Sequence, residues 1–154
     1  MRIQSILPLS AALLMGFATT LHAATPSACQ LLNSQAASSL LGSPANPPMD
    51  GGGVVCIYSD KGASKTLSLN IQSATFRASD FETQTRMQGF GATNSEVVPG
   101  VGEANKLLFF SGDHSALMVL YHGELLTLGV MRMKMTPDLK TAMIQTMKQI
   151  LGKI

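Results

Sequence analysis

Several sets of residues in this 154-residue chain have types and spacings that invite chemistry. Asp113, His114 and Ser115 are the residue types of a hydrolase triad, in which the imidazole takes the serine proton and the carboxylate orients the imidazole. Here they are consecutive and lie around a polar, Gly-bearing turn. Neighbours on such a turn cannot aim three side chains at one point in relay geometry. No other serine has the Gly-rich setting of a nucleophile elbow. The nine acidic residues are scattered, with no evident pair whose pKa values would be driven apart for acid and base work. No catalytic residue is assigned, and the chain is not expected to be an enzyme.

Met131, Met133 and Met135 alternate along one segment. Thioethers are soft ligands suited to Cu(I), and His122 is close enough in sequence to join them, so a copper carrier is the alternative functional reading. Methionine is also an adaptable core filler, the role that Met143 and Met147 have in the last helical pattern. The two glycines of Val98-Pro99-Gly100-Val101-Gly102 lack the third glycine of a dinucleotide fingerprint and lead into a strand pattern where that motif must open a helix. No cofactor is assigned.

The two cysteines, Cys29 and Cys56, have neither Cys-x-x-Cys spacing nor a flanking histidine. In an exported chain an even cysteine count points to a bridge, and Cys29 to Cys56 is the expected disulfide. Closing that loop would contribute roughly 3 to 4 kcal/mol in the chain-entropy account. Export itself is read from residues 1–23: Arg2 at the positive end, an apolar region over 6–17, and a cleavage site at Leu21-His22-Ala23. The apolar run is interrupted by Pro8 and Ser10 and is shorter than the roughly 20 residues of a spanning helix. Pro26-Ser27-Ala28 before Cys29 lacks the apolar residue that lipid attachment expects three positions upstream. The expected location is periplasmic or secreted, with residues 24–154 as one domain and no membrane span after cleavage.

Without Arg2, ten basic residues face nine acidic ones. The pI of 8.7 therefore does not signify a nucleic-acid footprint, which needs clustered Lys and Arg. Hydrophobic residues at 45% against charged ones at 13% are enough to build a core.

The elements that must position all of these residues follow from apolar spacing. Residues 27–41 have helical spacing and end at Gly42; 43–53 is a Pro- and Gly-rich loop. Strands are expected at 54–59 and 66–72, the second alternating with Leu67, Leu69 and Ile71 on its core face. Ser79 and Glu82 have the spacing of a capping box, predicting a helix over 80–87. Three strands at 106–110, 116–121 and 125–130 form a meander. Its middle strand is apolar on both faces and is expected to be central. A phase change after Val130 predicts a bulge or the end of regular pairing at 129–131. Thr136-Pro137-Asp138 opens a terminal helix whose stripe is Leu139, Met143, Met147, Ile150 and Ile154. The expected fold is α+β: about five largely antiparallel strands, with helices mainly on one face, in the order α-β-β-α-β-β-β-α.

The order of a helix bearing Cys29 and ending at Leu41-Gly42, then Cys56-Ile57-Tyr58, then Val98 to Ala104, resembles small exported domains of unknown function on bacterial lipoproteins and sensor-type ectodomains. Their shared motifs are structural, so the resemblance implies no catalytic residue. The functional expectation is an exported, non-enzymatic binding or interaction module, in one version an inhibitor or immunity-type protein. Its partner would be a periplasmic protein or a small ligand, not nucleic acid.

Overall fold

The computed structural model describes residues 26–89 and 91–154. The expected targeting segment at 1–23 lies outside the described residues. The elements are α1 (Ala28–Leu31), α2 (Ser34–Leu41), β1 (Met49–Gly51), β2 (Val55–Ser59), β3 (Thr66–Ser73), α3 (Phe81–Gln88), β4 (Ala92–Glu96), β5 (Ala104–Phe110), β6 (His114–Tyr121), β7 (Glu124–Met131) and α4 (Pro137–Leu151). The strands make one antiparallel sheet in the order β1-β2-β3-β7-β6-β5-β4.

The α+β class holds, and the sheet has seven strands where five were expected. The two additional strands are the edges. β1 lies inside the Pro- and Gly-rich segment, and its three residues are all exposed. That segment is stitched down by Asn46, whose side-chain amide donates to Ser59 Oγ at 3.1 Å and to the Asp60 carbonyl at 2.9 Å. β4 reads Ala-Thr-Asn-Ser-Glu, and it pairs with β5 around a bulge between Ala92 and Asn94. Edge strands held by backbone bonds need no apolar alternation, so neither left a hydrophobic signal.

The expected meander of β5, β6 and β7 is present, and the free edge of β7 pairs with β3, so that β7 lies between β6 and β3 with Leu128 opposite both Leu117 and Leu69. One face of the sheet, carrying Leu67, Leu69, Leu117, Val119, Leu126, Leu128 and Val130, packs against α1, α2 and α4. The other face is covered in part by α3, through Phe81 on Leu108, Met118, Leu120 and Leu125. This explains the doubly apolar β6: each face has its own helical cover. Burying Phe81 contributes about 1.5–3 kcal/mol and is the main anchor of α3.

Two local expectations are corrected, and a third is decided between its two alternatives. The first helix is two: Leu32 is extended (φ −97°, ψ 90°), and Asn33 starts a new helix by accepting from the Ala36 amide at 2.9 Å. Ser79 and Glu82 do not form a capping box. Ser79 sits in a 3-10 turn over Ala78–Asp80, and the Glu82 carboxylate is taken by Lys106 on β5. Pairing along β7 is unbroken to Met131, so the phase change is the strand's end and not a bulge: Arg132 turns the chain at φ +59°.

Cys29 and Cys56 are bonded, tying α1 to β2. The Val98 to Ala104 segment is clamped by Asn105, whose Oδ1 accepts from the Val98 amide at 2.8 Å and whose Nδ2 donates to the Val98 and Val101 carbonyls at 2.8 and 2.7 Å. Among the described residues, no helix is long and apolar enough to cross a membrane.

Candidate functional site

A concavity of about 410 Å³ lies where the C-terminal end of α2 meets the N-terminal end of α4 beneath the 132–136 connection. That volume is within the range of small-ligand sites. Each wall has a local cause. Gly42 stops α2 at φ +66° with its amide turned back to Ser38 and Ser39 carbonyls. Thr136 caps α4 by accepting from the Leu139 amide at 3.2 Å. Between them the reversal at Arg132 sends Met133 inward to 8% exposure and leaves Arg132 and Lys134 outside.

The third cation of the cleft, Lys65, is delivered by the β2 to β3 connection. Asp60 organises that loop by accepting from the Ser64 amide (2.7 Å), the Ser64 hydroxyl (2.6 Å) and the Lys65 amide (3.0 Å). These donors, the Ser64 hydroxyl first and the Lys65 amide next, hold the Asp60 carboxyl below its usual range. Lys65 Nζ then donates to the Leu41 carbonyl at 3.0 Å, one of the acceptors α2 leaves open at its end. Arg132 donates to the Ala63 carbonyl of the same connection at 3.4 Å.

Lys65, Arg132 and Lys134 thus share one rim, and Asp138 is the acid among the lining residues. None of these four is in an ion pair among the described residues, where the pairs are Glu82 with Arg86 and Lys106, and Glu96 with Lys140. The floor is apolar, formed by Leu40, Leu41, Met133, Leu139 and Ala142. An excess of positive charge over an apolar base can recognise an anionic group attached to uncharged structure.

The residues singled out for chemistry are not brought together. His114 and Ser115 point to opposite faces of β6, His114 stacking on Phe110 at 4.8 Å between ring centroids and Ser115 being 3% exposed. Asp113 is in the turn at φ +55°, where its carbonyl accepts from the Met133 amide at 2.9 Å. His122 lies at the opposite end of β7 from Met131, a strand's length or roughly 23 Å away. There it stacks on Tyr121 at 3.9 Å. Met131 is 47% exposed, Met133 is buried, and Met135 packs half-buried on the core, so the methionine run divides between surface and interior. Among the described residues no three His, Cys, Asp or Glu side chains converge as a metal site.

Sequence reasoning missed Lys65, Arg132 and Lys134. Their positions are too scattered to form a basic run, and only the alternation Met131-Arg132-Met133-Lys134-Met135 hinted that one side of this segment is cationic.

Fold and site together define a small α+β domain with a cation-rimmed cleft at one end of its helical layer. No protein-family model matches the chain, and no curated protein matches it. Among solved structures it is similar to the solution structure of cyanobacterial PsbP (CyanoP) from Synechocystis sp. PCC 6803. That similarity has 14% identity and a TM-score of 0.34, and covers 67% of this chain and 73% of that one.

Proposed function

We propose that this chain is an exported, non-enzymatic binding module, periplasmic or secreted, which engages a partner or ligand through the cleft between α2 and α4. The observation that carries the reading is the cleft's rim: Lys65, Arg132 and Lys134 around an apolar floor, none of them in an ion pair among the described residues. Unpaired cations around a concavity are a standing attraction for an anionic group, and such complementarity raises both encounter rate and selectivity. The disulfide fits the exported context, since such bonds persist in oxidising compartments.

Site-specific photo-cross-linking tests this reading in cells that export the protein. A photoreactive residue at Lys134 is expected to trap a discrete adduct, whereas one at the exposed Thr83, on the opposite side of the sheet, is not. Adducts at Thr83 and none at Lys134 would remove the cleft from consideration.

A further inference from the structure

The cleft does not end at its cationic rim. A second concavity of about 340 Å³ follows the same two helices and shares Ser39 and Ala142 with the first. The two form one groove between α2 and α4, which run antiparallel. Its far half has no charged residue in its lining and is lined by carboxamides: Asn33, which caps α2, Gln35 from α2, and Gln145 and Gln149 from α4. All four are exposed. At the waist the lining is small, with Ala36, Ser39 and Ala142.

We infer that the groove holds an extended peptide segment with an acidic end, its carboxylates at Lys65, Arg132 and Lys134 and its main chain along the carboxamides. The inference rests on the cleft being the binding site and names the occupant. The glutamine side chains each offer both a donor and an acceptor, the complement of a peptide group, and Asn33, whose Oδ1 caps α2, adds its Nδ2 donor; none demands a particular side chain. The small waist residues let a main chain approach the helices closely. From Asp138 to Gln149 the groove follows α4 for about 17 Å. An extended strand rises roughly 3.3 Å per residue, so about five residues fit. The carboxylates at one end supply ion-pair partners to cations that have none among the described residues, and charge-assisted bonds to Arg are the strong ones. Asp138, at the cationic end, offsets part of that attraction, while the far half has no Lys or Arg in its lining to receive further acids, so the negative charge belongs at the terminus.

The test uses the disulfide-bonded protein and fluorescein-labelled decapeptides of alternating Ala and Thr. One ends in two aspartates with a free carboxylate; its counterpart ends in two asparagines and an amide. Fluorescence anisotropy at low salt is expected to show the acidic peptide binding at least roughly tenfold more tightly. Affinity should fall with added salt. Two variants address the two halves of the groove. Arg132→Gln with Lys134→Gln should abolish the preference for the acidic end, and Ser39→Trp, an exposed position that blocks the waist, should weaken the decapeptide while leaving a dipeptide of aspartate unaffected. If Ser39→Trp lowers the thermal midpoint, Gln145→Ala with Gln149→Ala replaces it. Equal binding of acidic and amidated peptides, or indifference to the waist and carboxamide variants, overturns the inference. So does inorganic phosphate or laurate displacing the peptide at equal concentration, since either would make the cleft a site for small anions or amphiphiles. Adducts at Lys134 in cells without peptide binding would sink the peptide inference and leave the cleft reading standing. Absence of both would remove the two together.

Discussion

Replacing Gly102 by alanine separates two physical effects that the turn before β5 combines. Gly102 has φ +61°, and a Cβ there would lie 2.3 Å from Val119 Cγ1 and 2.7 Å from the Leu120 carbonyl oxygen. Neither neighbour can yield easily. Val119 is fully buried, and the Leu120 carbonyl already accepts from the Glu103 amide at 2.9 Å. Gly100, two residues earlier, has a similar φ of +71°, but its added Cβ would meet nothing nearer than Lys148 Nζ at 3.9 Å. Gly100→Ala therefore carries the left-handed backbone penalty alone, about 1–2 kcal/mol. Gly102→Ala carries it together with forced displacement of core atoms, which costs about 1–3 kcal/mol more. The expected excess is about 2 kcal/mol. With a urea m-value of about 1.5 kcal/mol/M, this places the Gly102→Ala midpoint roughly 1.3 M below that of Gly100→Ala. Urea titration followed by circular dichroism at constant m measures it. Midpoints within about 0.3 M of each other would refute the close approach of this turn to β6.

Substituting alanine for Cys29 and Cys56 together opens a loop with a sequence separation of 27 and is expected to lower stability by about 3.5 kcal/mol. Wild-type protein with reductant should lose a similar amount in the same denaturant titration, and an unchanged midpoint would contradict a stabilising bond. Thr136→Ala removes the hydroxyl that accepts from the Leu139 amide at the start of α4, for a loss of about 1 kcal/mol measurable by thermal melting. Asp60 should titrate below its ordinary value of 3.8 because the Ser64 hydroxyl and Lys65 amide favour its carboxylate. Its contribution is thus present above the unfolded-state pKa and disappears as pH falls through the lower folded value. An NMR titration checks this, with Ser64→Ala expected to move Asp60 upward. Anaerobic Cu(I) titration against a competing chelator is expected to give no stoichiometric uptake; a one-to-one complex lost in Met131→Leu with Met133→Leu would revive the metal reading.

Local pattern was enough for much of this fold. Alternation in Leu67, Leu69 and Ile71, the doubly apolar β6 and the stripe on α4 each state which face is buried, because a side-chain period is fixed by backbone geometry and read residue by residue. The pairing of Cys29 with Cys56 was legible as the sole intrachain pairing two cysteines allow. The Asn33 break was harder to see. Apolar spacing runs through it, and only the competition of an Asn side chain for a helix-start amide ends one helix and begins another.

What only the tertiary structure decided is who meets whom. The insertion of β7 between β3 and β6 sets Leu128 against both Leu69 and Leu117, a choice no window of sequence contains. The edges β1 and β4 exist because a neighbouring strand offers them hydrogen bonds, not because their own residues prefer a strand. The cationic rim arises in the same way: Lys65 comes from a β-hairpin held by Asp60, Arg132 and Lys134 from a reversal after β7, and the groove from the packing of α2 on α4. Secondary structure is written in short-range periodicity, which a sequence displays directly. A site is written in long-range proximity, which depends on the sum of many weak contacts and appears only when the chain is folded.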